Sequence, residues 1–115
     1  MNIQIFGTKK CSDTKKAERF FKERRITFHF RDLAEKGISK GELENILRVF
    51  QPENLIDKES KQYRLRNLGF IKYDIEDELL ADALLFKTPI VRNGSKVTLG
   101  YSPDEWKKWI GEEKL

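Results

Sequence analysis

The chain's single cysteine, Cys11, stands where an apolar strand pattern gives way to a helical one. Ile3 and Ile5 alternate within Asn2–Phe6, and beyond Ser12 the apolar residues Ala17, Phe20 and Phe21 recur at near-helical spacing. A thiol at that junction lies at a helix N-terminus, where unpaired amide N–H groups and the positive end of the helix dipole favour the thiolate. The thiolate is the reactive form, so position rather than presence makes Cys11 a candidate nucleophile. A small buried hydrophobe is the plainer fate of a free cysteine. Its neighbours Lys9, Lys10, Ser12, Asp13 and Lys15 do not read as core, however. The lysines lower a thiol pKa and Asp13 opposes them. Position 14, where a C-x-x-C pair would carry its second thiol, holds Thr14. Any redox cycle must therefore borrow a partner thiol, such as glutathione or a protein dithiol.

Other chemistry-bearing residues are few. Thr88-Pro89 precedes a strand pattern and reads either as a proline starting a strand or as a cis bond packed near the cysteine. His29 lies in the alternating run TFHFR, away from Cys11, and reads as structural or surface. One histidine and one cysteine do not make a zinc site, so no metal is expected. No P-loop or dinucleotide fingerprint is present.

The elements that must position these residues follow from periodicity and caps. Residues 14–24 form the first helix, closed by Arg24 and Arg25, and Thr27–Arg31 forms a second strand, giving a parallel β-α-β crossover. Ser39 and Glu42 have capping-box spacing ahead of Leu43, Ile46, Leu47 and Phe50. Pro52 interrupts that pattern; residues 58–68 predict a short helix ended by Gly69, and Asp74 caps a helix over Ile75–Phe86. Pro89–Arg92 and Lys96–Leu99 read as a hairpin turning at Asn93-Gly94. Ser102-Pro103-Asp104-Glu105 opens a last helix with Trp106, Trp109 and Ile110 on its buried side. The order β-α-β, helices, β-β-α predicts an α/β, thioredoxin-like fold: one domain over residues 1–115 with a helical insertion at about 38–86.

Length and charge bound the rest. A chain of 115 residues suits one ordinary core. It shows no apolar run long enough to span a membrane and no leader pattern ahead of its first strand, so a soluble cytoplasmic protein without membrane partners is expected. Charged residues make up 37% of the chain with a formal net charge of +4, and the signs are mixed. Without a basic stripe interleaved with aromatics, direct nucleic-acid binding is not expected.

Four stretches, in order, carry a resemblance. Cys11-Ser-Asp-Thr-Lys-Lys16-Ala17 resembles the C-x4-K-A signature of the ArsC/Spx family, the arsenate-reductase-like branch of the thioredoxin superfamily. Leu55–Arg64 resembles that family's middle motif, Leu84–Val91 its L-x-x-R-P-I-V motif, and Gly100–Trp106 the ending of its Spx-like members. The resemblance implies a Cys11 thiolate at the base of the first helix and a cis Pro89 beside it. It also implies that the backbone of Thr88 pairs with a bound peptide or glutathione, and that Lys16 offers a cation to the thiolate or to a glutathione carboxylate. Lys10 and Arg92 complete the expected thiol- and substrate-binding set. The family's arsenate reductases hold the oxyanion with arginines, whose planar guanidinium forms two charge-assisted bonds. Those positions fall here on Glu59, Thr88 and, nearly, Tyr101.

The function expected is thus a glutathione- or thiol-dependent oxidoreductase acting through one cysteine on a small thiol or a protein disulfide, and not on arsenate. The second expectation is an Spx-like regulator or adaptor that binds RNA polymerase or another protein. The third is an arsenate reductase whose anion is held by Arg64, Arg66 or Arg92.

Overall fold

The computed structural model describes residues 1–113. They fold as two units, one made of residues 1–32 with 88–113 and the other of Leu33–Lys87.

In the first unit, strand β1 (Ile3–Gly7) leads through a turn into helix α1 (Ser12–Glu23) and on to β2 (Phe28–Asp32). Strands β3 (Ile90–Asn93) and β4 (Lys96–Leu99) and helix α6 (Pro103–Glu113) follow the second unit. The sheet order is β2-β1-β3-β4, with β1 parallel to β2 and antiparallel to β3. Alternation fixes the faces: Ile3, Ile5 and Val91 point to one side and pack with Ala17, Phe20 and Phe21 of α1 and Trp106 and Trp109 of α6. All eight are buried. The aromatic rings meet edge-on or tilted, Phe20 at 5.2 Å and Phe21 at 5.3 Å from Trp106.

Helix α1 ends as the sequence predicts. Arg24 caps it, donating from Nη1 to the Phe20 carbonyl at 3.1 Å while its guanidinium stacks 3.7 Å from the Phe20 ring. The hairpin turns one residue later than expected. Asn93 pairs with Lys96, so Gly94 and Ser95 are the central residues, and Gly94 takes the positive φ of 62°. A glycine at the first central position is what a type II′ turn requires.

The second unit carries four short α-helices, α2 (Lys40–Leu47), α3 (Pro52–Leu55), α4 (Lys61–Leu65) and α5 (Ile75–Ala81), and 3-10 turns at Leu68–Phe70 and Ala83–Leu85. The capping box forms, with Ser39 N donating to Glu42 Oε1 at 2.9 Å and Glu42 N to Ser39 Oγ at 3.2 Å. Pro52, expected as an interruption, instead opens α3 at a first-turn position that needs no N–H. Two helices are shorter than their periodicity implies. The helix over residues 58–68 is only Lys61–Leu65, and Asn67, not Gly69, takes the left-handed conformation beyond it (φ 55°). The helix over Ile75–Phe86 stops at Ala81, because Asp82 is extended (φ −148°) and its carboxylate accepts from Leu84 N at 3.1 Å. A short acid that bonds the backbone two residues on competes with continued helix. The buried Leu79, Ala83 and Leu85 keep their side in spite of the break.

Candidate thiol site

Cys11 is the N-cap of α1, at the end of a tight turn in which its N–H donates to the Thr8 carbonyl at 3.2 Å. That turn leaves Lys9 and Lys10 exposed at its tip. The sulfur is half-buried and lies 3.7 Å from the Thr88 carbonyl, 77 residues away in sequence. The Thr88–Pro89 bond is cis, and Pro89 is buried. The Pro89 carbonyl accepts from Gly100 N at 2.8 Å, where Gly100 takes a φ of 82°. The register of β1 against β3 makes this meeting: Phe6 pairs with Ile90, so the residues just after β1 face those just before β3.

Burial of the sulfur pushes the Cys11 thiol up, but hydrogen bonds outweigh it. The hydroxyls of Thr14 and Thr88 and the backbone N–H groups of Thr14 and Asp13 all favour the thiolate, and the net shift is downward. In the thiol form the side chain makes no capping bond, so these donors are held for the charged form. Thr14 Oγ1 is buried and has no hydrogen-bond partner. Its position is tight: a Cβ on Gly7 would come within 2.4 Å of Thr14 Oγ1, so only glycine there lets the first turn of α1 approach β1.

In the sequence Thr14 marks only the absence of a second cysteine. Its place at the third helical position, three residues after the thiol, was the available signal. Thr14→Val keeps the shape and removes the donor. It is expected to raise the Cys11 pKa and slow alkylation at neutral pH several-fold, while stability holds or rises by on the order of 1 kcal/mol because a buried, unpaired hydroxyl is gone. Iodoacetamide kinetics against pH and thermal melting check both halves.

The other expected residues divide. Thr88 and Pro89 lie at the sulfur, and Lys10 is the residue before Cys11 on the turn. Lys16 is one helical turn further on, its Nζ 3.8 Å from Asp13 Oδ1 and 5.7 Å from the centre of the Tyr101 ring. It thereby meets the one acid in the first turn that opposes the thiolate. Arg92 lies apart: it pairs with Gln4, two residues along β3 from the end that faces Cys11, and on the sheet face opposite Val91 and α1. Arg64 bonds the Glu59 carbonyl at 2.7 Å, and Arg66 is held by Glu78 and Asp82. His29 is exposed on β2. Among the described residues no helix is long and apolar enough to cross a membrane.

A β-α-β unit joined to a β-β-α unit in one four-stranded sheet, with a cysteine capping the first helix opposite a cis proline, defines a protein of thioredoxin-like fold. Within that class the chain belongs to the ArsC family, whose pattern it matches over residues 6–109. The global transcriptional regulator Spx 2 of Oceanobacillus iheyensis is 28% identical over 115 residues, covering 96% of this chain and 84% of that protein. An arsenate reductase from Vibrio cholerae shares the fold with a TM-score of 0.77 at 18% identity, over 94% of this chain and 97% of that one. An arsenate reductase (ArsC) related protein from Brucella melitensis does so with a TM-score of 0.67 at 21% identity, over 96% and 95%. The chain is thus both Spx-like in sequence and arsenate-reductase-like in fold.

Proposed function

We propose that this chain is a monothiol oxidoreductase that exchanges disulfides with glutathione or a comparable thiol. The observation that carries the proposal is the placement of a half-buried Cys11 at the N-cap of α1, its sulfur 3.7 Å from the Thr88 carbonyl that precedes the cis Pro89; the helix-end donors around it favour the thiolate. In the first step the Cys11 thiolate attacks the glutathionyl sulfur of a mixed disulfide. A Cys11–glutathione disulfide forms, and the substrate sulfur leaves as a thiolate that takes a proton from solvent. In the second step a glutathione thiolate attacks that bond, releasing oxidised glutathione and restoring the Cys11 thiolate. A protein dithiol would serve as reductant in the same way.

Thr88 and Pro89 support the geometry. Once Cys11 is ionised it no longer donates to the Thr88 carbonyl, which is then open to a backbone N–H of the incoming disulfide. Lys10 and Lys16 supply positive charge for carboxylates near the thiol. Arsenate is not the expected substrate, because the family's oxyanion-holding arginines are replaced. A coupled arsenate assay that shows turnover would restore the third reading.

The direct test is alkylation of Cys11 across pH, with and without prior exposure to oxidised glutathione, whose second glutathione leaves as thiolate, followed by intact-mass measurement. A midpoint below that of an ordinary thiol and a trapped adduct of one glutathione are expected. An unshifted, unreactive thiol would remove the proposal. A second reading, an Spx-like regulator contacting RNA polymerase, is favoured by the similarity to a transcriptional regulator along nearly the whole chain. Recovery of polymerase subunits on the immobilised protein, unchanged in a Cys11→Ser variant, would select it.

A further inference from the structure

Basic charge is dense along the first turn and helix of this protein. Residues 9–25 carry eight lysines and arginines against three acids, whereas the whole chain has a net charge of only +4. The C-terminal part of α1 and the start of α6 form the walls of an open groove of about 460 Å³. Lys16, Arg19, Arg24 and Lys107 supply its cations, Phe20 and Tyr101 its aromatic surface, and Glu23 its one carboxylate. Arg24 is held in place by the ring and carbonyl of Phe20, and Lys16 lies over Tyr101, so both are oriented before anything binds. Among the described residues, Arg19 and Lys107 have no carboxylate partner. Two links run from the groove towards the thiol: Tyr101 follows Gly100, whose N–H bonds the Pro89 carbonyl, and Lys16 lies five residues after Cys11 on the same helix.

We propose that this groove seats an acidic segment of the polypeptide whose mixed disulfide Cys11 attacks, an inference that rests on the thiol-exchange reading and names its substrate class. Length decides between a protein and glutathione as the occupant. From Cys11 to Arg24 is thirteen helical residues, or about 20 Å. An extended chain covers roughly 3.3 Å per residue, so reaching the far cations takes about six residues beyond the reacting cysteine, more than a tripeptide provides. The substrate is therefore a protein cysteine flanked by aspartates and glutamates, with glutathione as the small partner in the exchange.

Binding is measured on the Cys11→Ser variant, so that no covalent step contributes. The probe is a fluorescent ten-residue peptide with serine at its reacting position and Asp/Glu on one side. The expected result is binding that weakens with salt, falls about tenfold or more on Arg19→Glu/Lys107→Glu, and is absent for the same peptide with Asn/Gln. Equal affinity in the charge-reversed variant would overturn the groove. So would binding of inorganic phosphate or anionic phospholipid vesicles in place of the peptide. In parallel, wild-type Cys11 and the variant with Arg19 and Lys107 reversed are assayed on a small glutathionylated thiol, where equal rates are expected. Unchanged peptide affinity in the charge-reversed protein, with intact rates, overturns this inference alone; an inert Cys11 in both proteins overturns the thiol reading beneath it.

Discussion

Cys11→Ser is expected to abolish thiol exchange while leaving the protein folded and slightly more stable. A serine hydroxyl at neutral pH is not ionised and cannot form a disulfide, so both steps of the exchange are lost together. The fold gains, because serine is a preferred N-cap where Cys11 makes no capping bond. Donation from the Asp13 and Thr14 amides to the new oxygen is worth about 0.5–1 kcal/mol. The pH dependence of stability changes with it. The folded thiol's pKa lies below its ordinary value, so ionisation contributes stability in full above that ordinary value and loses it as pH falls through the lowered one. The serine variant lacks this dependence. Release of glutathione from a mixed disulfide, followed beside melting curves at neutral and alkaline pH, checks all three. Residual exchange near the wild-type rate would mean that Cys11 is not the nucleophile.

Trp106→Ala is expected to be the most damaging single change to the first unit. The side chain is fully buried between Phe20 and Phe21, and its Nε1 donates to Thr98 Oγ1 at 2.8 Å. Truncation leaves a cavity and an unpaired buried hydroxyl, costing about 3–5 kcal/mol. Against a total stability of about 5–15 kcal/mol, that is a large share. The melting temperature should fall by on the order of 10–20 °C. Tyr101, which packs edge-on against Trp106 at 5.6 Å, loses its support as well, so the groove beside the thiol should loosen. Trp106→Phe keeps a ring in the core and should lose much less. A loss below about 1 kcal/mol for the alanine variant would mean that α6 does not close this core.

Much of the fold is legible in the residues taken in order. The strand alternation of Ile3 and Ile5, the helical spacing of Ala17, Phe20 and Phe21, and the Ser-Pro-Asp-Glu entry to α6 each act over a few residues, and each element forms as they imply. The errors are equally local in kind. Asp82 and Asn67 ended helices that hydrophobic periodicity alone would extend, because a side-chain bond and a left-handed residue outweighed it. The ArsC-family pattern was likewise readable, since its motifs are short and keep their order along the chain.

The site was legible only in part. Sequence alone determined that one thiol begins the first helix, that no second cysteine accompanies it, and that Thr88-Pro89 precedes a strand. Helix ends, caps and cysteine counts are properties of neighbouring residues, so they survive any uncertainty about the fold. Tertiary structure alone decided that Thr88 reaches the sulfur and Arg92 does not. It decided too that the Thr14 hydroxyl is buried without a partner, and that scattered cations on α1 meet Lys107 across a groove. Those facts depend on the register of β1 with β3 and on how Ala17, Phe20 and Trp106 pack. A shift of one residue in that register would send Arg92 to the other face and take Thr88 from the sulfur, with no change in the chain's local pattern.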